Sequence, residues 1–131
     1  MKTYYSSNFD SIFSIENRIS QTNITLSGKM IELEPDAIWT KILDWFNNYQ
    51  LNPSPETTIS LSLIYINTRN LVELFKFLRK FEKMNPNISK VSVNWICETG
   101  DFDMADIGAD INVLTTLPVK TFFREAYRKS A

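Results

Sequence analysis

Thr68 is the first residue to weigh for chemistry. It closes the run Ile59-Ser60-Leu61-Ser62-Leu63-Ile64-Tyr65-Ile66-Asn67-Thr68, in which strand-like alternation gives way to helical spacing. A hydroxyl at such a junction can do two things. It can accept an orphan backbone N–H as a helix cap, or it can carry a regulatory group. Asn67 and Asn70 are equally competent caps, and Asn70 followed by Glu73 has capping-box spacing, which would start the helix at Asn70 and leave Thr68 in the loop. A phosphate on Thr68 would add nearly two negative charges beside the positive end of a helix dipole, with Arg69 adjacent.

The second candidate is the acidic segment Glu98, Asp101, Asp103, Asp106, Asp110. A calcium loop of EF-hand type beginning at Asp101 needs an oxygen ligand at 105, glycine at 106 and glutamate at 112. The chain has Ala105, Asp106 and Asn112, so that reading fails. Carboxylates favoured at a helix N-terminus are the ordinary alternative. The chain has no histidine, which removes the commonest general base and metal ligand and every Ser-His or Cys-His pair. An enzyme would have to work with Asp101, Asp103 and Asp106 around a divalent metal, and a small-ligand module would need a pocket near Asn67, Thr68 and Asp103. No catalytic residue, metal ligand or cofactor is assigned. Cys97 lies on the apolar side of an alternating strand with no cation beside it in sequence, and is expected to be inert. Lys76, Arg79, Lys80 and Lys83 form a basic stripe on a helix, read as a solvated face before a docking or phosphate-binding strip.

These residues need elements to position them. Residues 9–16 read as a first strand with Phe9, Phe13 and Ile15 on one side; Asn17-Arg18 turns the chain, and Ile24 and Leu26 mark a second strand in a hairpin. Glu34-Pro35-Asp36 starts a helix with a wide apolar face through Ile38, Trp39, Ile42, Leu43, Trp45, Phe46 and Tyr49. After the Asn52-Pro53-Ser54-Pro55 loop come the central strand and a helix over about 70–84, spaced by Leu71, Leu74, Phe75, Leu78 and Phe81. Val91, Val93, Trp95 and Cys97 give the next strand; Met104, Ile107, Ile111 and Leu114 a short helix in which Gly108 permits close packing on the sheet; Val119 to Phe123 a last strand. Tyr65 is inward by period, and the three tryptophans belong to the core. The order is ββαβαβαβ, an α/β (α+β) fold with one mixed sheet of about five strands. The crossover through the 70–84 helix makes its strands parallel. Ser60, Ser62, Ser92 and Asn94 share one sheet face, so the helices gather mainly on the other. That one-sided layout is STAS-like by fold analogy alone.

Ile-Tyr-Ile-Asn-Thr, Val-Asn-Trp about thirty residues later, and Asp-Met-Ala-Asp-Ile-Gly-Ala-Asp together resemble the SiaC family of regulatory phosphoproteins. That family carries Tyr-x-Asn-Thr-Ser-Ser, a Val-x-Trp strand, Asp-Met-x-Glu-x-Gly-x-Asp and a final Leu-Pro-Phe; the resemblance runs from about Leu26 to Phe123. It implies that Thr68 is phosphorylated by a cognate Ser/Thr kinase and restored by a PP2C-type phosphatase. In the best-known branch the unphosphorylated form binds and activates a diguanylate cyclase, in cyclic-di-GMP and biofilm control. It further implies a partner-recognition face of Asn67, Thr68, Arg69, Asn70, Asp101, Asp103 and Asp106. The family's Ser-Ser is Arg69-Asn70 here and its glutamate is Asp106, changes that bear on kinase and partner specificity. Partner switching on a sigma factor, in the manner of an anti-sigma-factor antagonist, is the alternative output.

Length and composition agree with such a role. At 131 residues, 44% hydrophobic and 13% aromatic, residues 1–131 read as one globular domain, with the tail from about 124 helical or frayed. A net charge of −1 gives no general attraction to nucleic acid or anionic membrane. No apolar run approaches the ~20 residues of a membrane span, and the N-terminus lacks a secretory h-region. One cysteine excludes an internal disulfide and fits a cytoplasmic location. A monomer or weak dimer is expected.

Overall fold

The computed structural model describes residues 2–6, as backbone only, and residues 11–125. Six strands form one sheet in the order β1-β2-β3-β4-β5-β6: β1 (Lys2–Ser6), β2 (Ser11–Asn17), β3 (Gln21–Met30), β4 (Glu56–Ile66), β5 (Lys90–Glu98) and β6 (Val119–Arg124). Three helices connect the parallel strands: α1 (Asp36–Tyr49), α2 (Thr68–Glu82) and α3 (Phe102–Leu114). β1–β2 and β2–β3 are antiparallel, whereas β3–β4, β4–β5 and β5–β6 are parallel. The sheet is therefore mixed, as expected, with β1 added to the expected five strands. Lys-Thr-Tyr-Tyr-Ser is short and lacks apolar alternation, so its pairing with β2 is not legible locally. The expected inward position of Phe9 and the tail beyond Glu125 lie outside the described residues.

Alternation decides which face is covered. Phe13 and Ile15 on β2, Ile24 and Leu26 on β3, Ile59, Leu61 and Leu63 on β4, and Val93, Trp95 and Cys97 on β5 are all buried in one core with the helices. Phe77 centres its aromatic part, packing edge-on against Phe13, Trp39, Phe46 and Phe81 with ring centroids 5.0–6.3 Å away. The helical period counted through Leu74 and Leu78 passes over Phe77, which is nevertheless buried. The opposite face keeps Ser14, Asn23, Thr25, Ser60 and Asn94 open, around a groove of about 570 Å³. Among the described residues no helix is long and apolar enough to cross a membrane.

Two details set the helices' positions. Gly108 of α3 lies against the Trp95 indole so closely that a Cβ there would overlap the ring, and Trp95 Nε1 donates to the Met104 carbonyl at 2.9 Å. At the other end of the sheet, the hydroxyls of Tyr49, Thr57 and Ser89 form a chain of contacts of 2.6–2.8 Å, Ser54 meets Thr22 at 2.6 Å, and the Ser54 N–H donates to the Tyr49 hydroxyl at 3.1 Å, which fixes the proline loop beneath α1.

Candidate functional site

The parallel strands β3–β6 all end on one edge of the sheet, where function collects in open sheets. Here the β4–α2 junction is built by two asparagines. Asn67 is the N-cap of α2, its side-chain oxygen accepting from the backbone N–H of Asn70 at 3.0 Å. Its amide nitrogen donates to the Glu32 carbonyl at 3.0 Å, and its backbone N–H to the Met30 carbonyl at 3.0 Å. Asn70 is only 1% exposed. Its amide donates to the carbonyls of Met30 and Glu32 and to Asn67, and its oxygen accepts from Trp39 Nε1 at 3.0 Å. The pair thus ties α2 to the end of β3 and to α1.

Three expectations are revised by this geometry. The helix does not begin at Asn70: Thr68 is its first residue and Asn67, not Thr68, is the cap. Asn70 belongs to the interior that positions the junction and has no surface with which to touch a partner. Tyr65 is not inward but 51% exposed. The cause is a bulge. Gly28, at φ 95°, pairs with Leu63, and the next residue, Lys29, pairs with Tyr65. Ile64 is left without an opposite number, which shifts the alternation so that Ile64 and Tyr65 are both exposed before Ile66 turns inward.

Thr68 is consequently exposed on a rigid support, and its hydroxyl makes no hydrogen bond among the described residues. No acidic side chain occupies the first turn of α2. Arg69 beside it meets Glu34 at 3.4 Å, an exposed pair worth little. Glu34 and Glu32, from the β3–α1 loop, are neighbours that no local spacing links to Thr68.

The acidic candidates belong to the adjacent junction. Asp101 caps α3, accepting from the Met104 N–H at 3.2 Å; Asp103 lies exposed in the first turn and Asp106 exposed beyond it. Among the described residues no three of His, Cys, Asp or Glu are grouped to hold a metal ion. The arrangement around Asp101, Asp103 and Asp106 is thus a cap and a solvated helix start, not a ligand cage. Cys97 is 1% exposed; burial pushes its thiol above the ordinary range, Asp101 adds to that, and Arg124 opposes it. Exposed Leu33, Phe102 and Phe123 stand at the same edge of the sheet, apolar positions not singled out from sequence.

Comparison with known proteins agrees with the motifs. The model of the SiaC family of regulatory phosphoproteins matches residues 9–123. Among solved structures, SiaC of Pseudomonas aeruginosa has a TM-score of 0.79 at 12% identity over 95% of this chain and 99% of that one. A complex of the diguanylate cyclase SiaD with its activator SiaC, from the same organism, gives a TM-score of 0.77 at 14% identity over 93% and 99%. The apo-SiaC crystal structure gives 0.75 at 12% over 96% and 99%. No curated protein matches. At such low identities the structural likeness speaks for the fold, and the family match over most of the chain speaks for the kinship: this chain belongs to the SiaC family of regulatory phosphoproteins.

Proposed function

We propose that this protein is a partner switch without catalysis of its own, controlled by phosphorylation of Thr68. A cognate Ser/Thr kinase adds the phosphate and a PP2C-type phosphatase removes it. The unphosphorylated form binds and activates an output protein, with a diguanylate cyclase as first choice, since the solved relative named SiaC is the activator of one. The carrying observation is the setting of Thr68: exposed, first in α2, on a junction clamped by Asn67 and Asn70, with no acid in the first turn. A phosphate there meets unpaired backbone N–H groups and the positive end of the dipole, so the phosphoprotein keeps its fold. The penalty falls on a partner, which must desolvate a dianion where it would have met a hydroxyl.

The test is the intact mass of the protein isolated from its own cells, with peptide mapping across Leu61–Lys76. A substoichiometric phosphate on Thr68 is expected, with an output partner captured by Thr68→Ala and lost by Thr68→Asp. A Thr68 that stays unmodified under every growth condition, with both variants behaving as wild type, would sink the proposal.

A further inference from the structure

The bulge at Ile64 exposes Ile64 and Tyr65 on the face where β5 and β6 also carry apolar side chains. Trp95 and Cys97 are buried under the helices, so Ile96 between them faces the open side of the sheet, and Phe122 is its register partner on β6. Ile64, Tyr65, Ile96 and Phe122 therefore all lie on the uncovered face of β4, β5 and β6, Ile64 and Tyr65 beyond the last β4–β5 pair at Leu61 and Trp95, with Ile64 and Phe122 each 42% exposed. Three cations flank this apolar strip. Lys29 is the register partner of Tyr65, Lys120 holds its ammonium 5.7 Å from the Phe122 ring centre, and Arg124 follows on the same side. None of the three forms an ion pair among the described residues, although Glu98 is the register partner of Arg124.

We propose that this strip is the docking surface for an acidic amphipathic segment of a partner protein, which lies on the open face as a third layer over the sheet. Its apolar side would cover Ile64, Tyr65, Ile96 and Phe122, and its carboxylates would meet Lys29, Lys120 and Arg124. Charge complementarity selects this occupant. Two copies of the strip facing each other about a two-fold axis would set cation against cation. An acidic segment gives the cations the partners the fold withholds, and exposed aromatics ringed by cations are the residue types that dominate interface energy. The location also bears on the switch, and this clause rests on the phosphorylation of Thr68. Three residue steps, at most ~11 Å of chain, separate Tyr65 from Thr68. That is close to the Debye length of ~8–10 Å, so a phosphate on Thr68 repels an acidic segment seated on the strip.

The experiment places a photo-crosslinking p-benzoylphenylalanine at Phe122 in the full chain, expressed in its own cells, with Val113 on α3 as the control position. The cross-linked peptide is sequenced by mass spectrometry. Expected is an acidic peptide of another protein, joined from 122 and not from 113. Its yield should fall about tenfold with Lys29→Glu, Lys120→Glu and Arg124→Glu combined, melting as wild type, and by a similar factor with Thr68→Asp. The milder pair Lys120→Gln and Arg124→Gln serves if the triple variant melts early. A basic peptide, a peptide of this chain itself, a nucleic-acid adduct, or no product from 122 overturns the proposal. An acidic peptide whose yield ignores Thr68→Asp sustains the docking surface and overturns its coupling to the phosphoswitch.

Discussion

At Thr68 the helix dipole and the missing first-turn acid act in the same direction, so a negative charge is favoured there by the fold itself. Thr68→Asp should raise stability by about 0.3–1 kcal/mol in urea titration at low salt, with the gain shrinking as salt is added. An unchanged or lowered stability would mean that the terminus is already neutralised. Asn70 behaves oppositely. Removing its amide orphans the buried Trp39 Nε1 and takes one of two donors from each of the Met30 and Glu32 carbonyls, which keep the bonds from Asn67. Asn70→Ala should cost about 1–3 kcal/mol or more, visible as a lower denaturation midpoint. Asn70→Asp keeps an acceptor for Trp39 but loses all three donated bonds and sets a carboxylate against the oxygens of Met30, Glu32 and Asn67, so it should also destabilise. Cys97, buried and with its thiol pushed above 9.0, should resist alkylation at pH 8 in the folded protein and react fully in denaturant.

At the scale of elements, α3 is held against the sheet by Gly108 on Trp95, and α2 is tied by its last residue. Glu82 accepts from the hydroxyls of Thr115 and Thr116 and from the Thr116 N–H, at 2.9–3.4 Å. Burial raises the pKa of this carboxyl, but the bonds from Thr116 and Thr115, with Arg79, outweigh it and hold the group below the ordinary 4.5. The unfolded chain then binds the proton more readily. The contribution is present above pH 4.5 and is lost as pH falls through the lower folded value. Glu82→Gln should flatten the acid limb of the stability curve in that window and leave the neutral region's slope unchanged. Gly108→Ala should cost about 1–3 kcal/mol in thermal denaturation, because the indole cannot retreat from a buried site. The sequence is a good guide at this scale. Alternation through Ile59, Leu61 and Leu63 places β4, the period from Leu71 to Phe81 places α2, and Ser60 with Asn94 marks the uncovered face. It is a poor guide where a non-local event intervenes. The bulge depends on Gly28 of β3 pairing with β4, and this turns Tyr65 outward. The burial of Asn70 depends on Trp39, thirty-one residues earlier. Thr68 is recognisable as a junction residue, but its exclusion from capping depends on whether Asn67 or Thr68 wins the Asn70 N–H, and Asn67 does.

For the whole molecule, the decisive feature is that strand order in space equals strand order in sequence. Right-handed crossovers that always step the same way put α1, α2 and α3 on one face, so the sheet has no reversal point and no crevice between diverging helices. That is why the surfaces proposed for recognition are the strand-end edge and the bare face. The same order governs assembly of the chain. Each strand adds beside one already in place, and none has to be threaded between two others. Nearest-neighbour addition keeps sequence separations short, which favours rapid folding. It also allows growth from the N-terminal hairpin as the chain leaves the ribosome. Among the described residues β6 is the last strand; it pairs in the sheet only with β5 and is exposed from Lys120 onward, with Val119 half-buried against the core. Amide hydrogen exchange should find β6 opening well below the global unfolding free energy while β3 and β4 exchange only with it. Uniform protection across the sheet would show that the last strand is instead part of the cooperative unit. A ribosome-bound chain truncated after Leu117 should then already hold the clamped Thr68 junction, so the proposed modification would not have to wait for the end of synthesis.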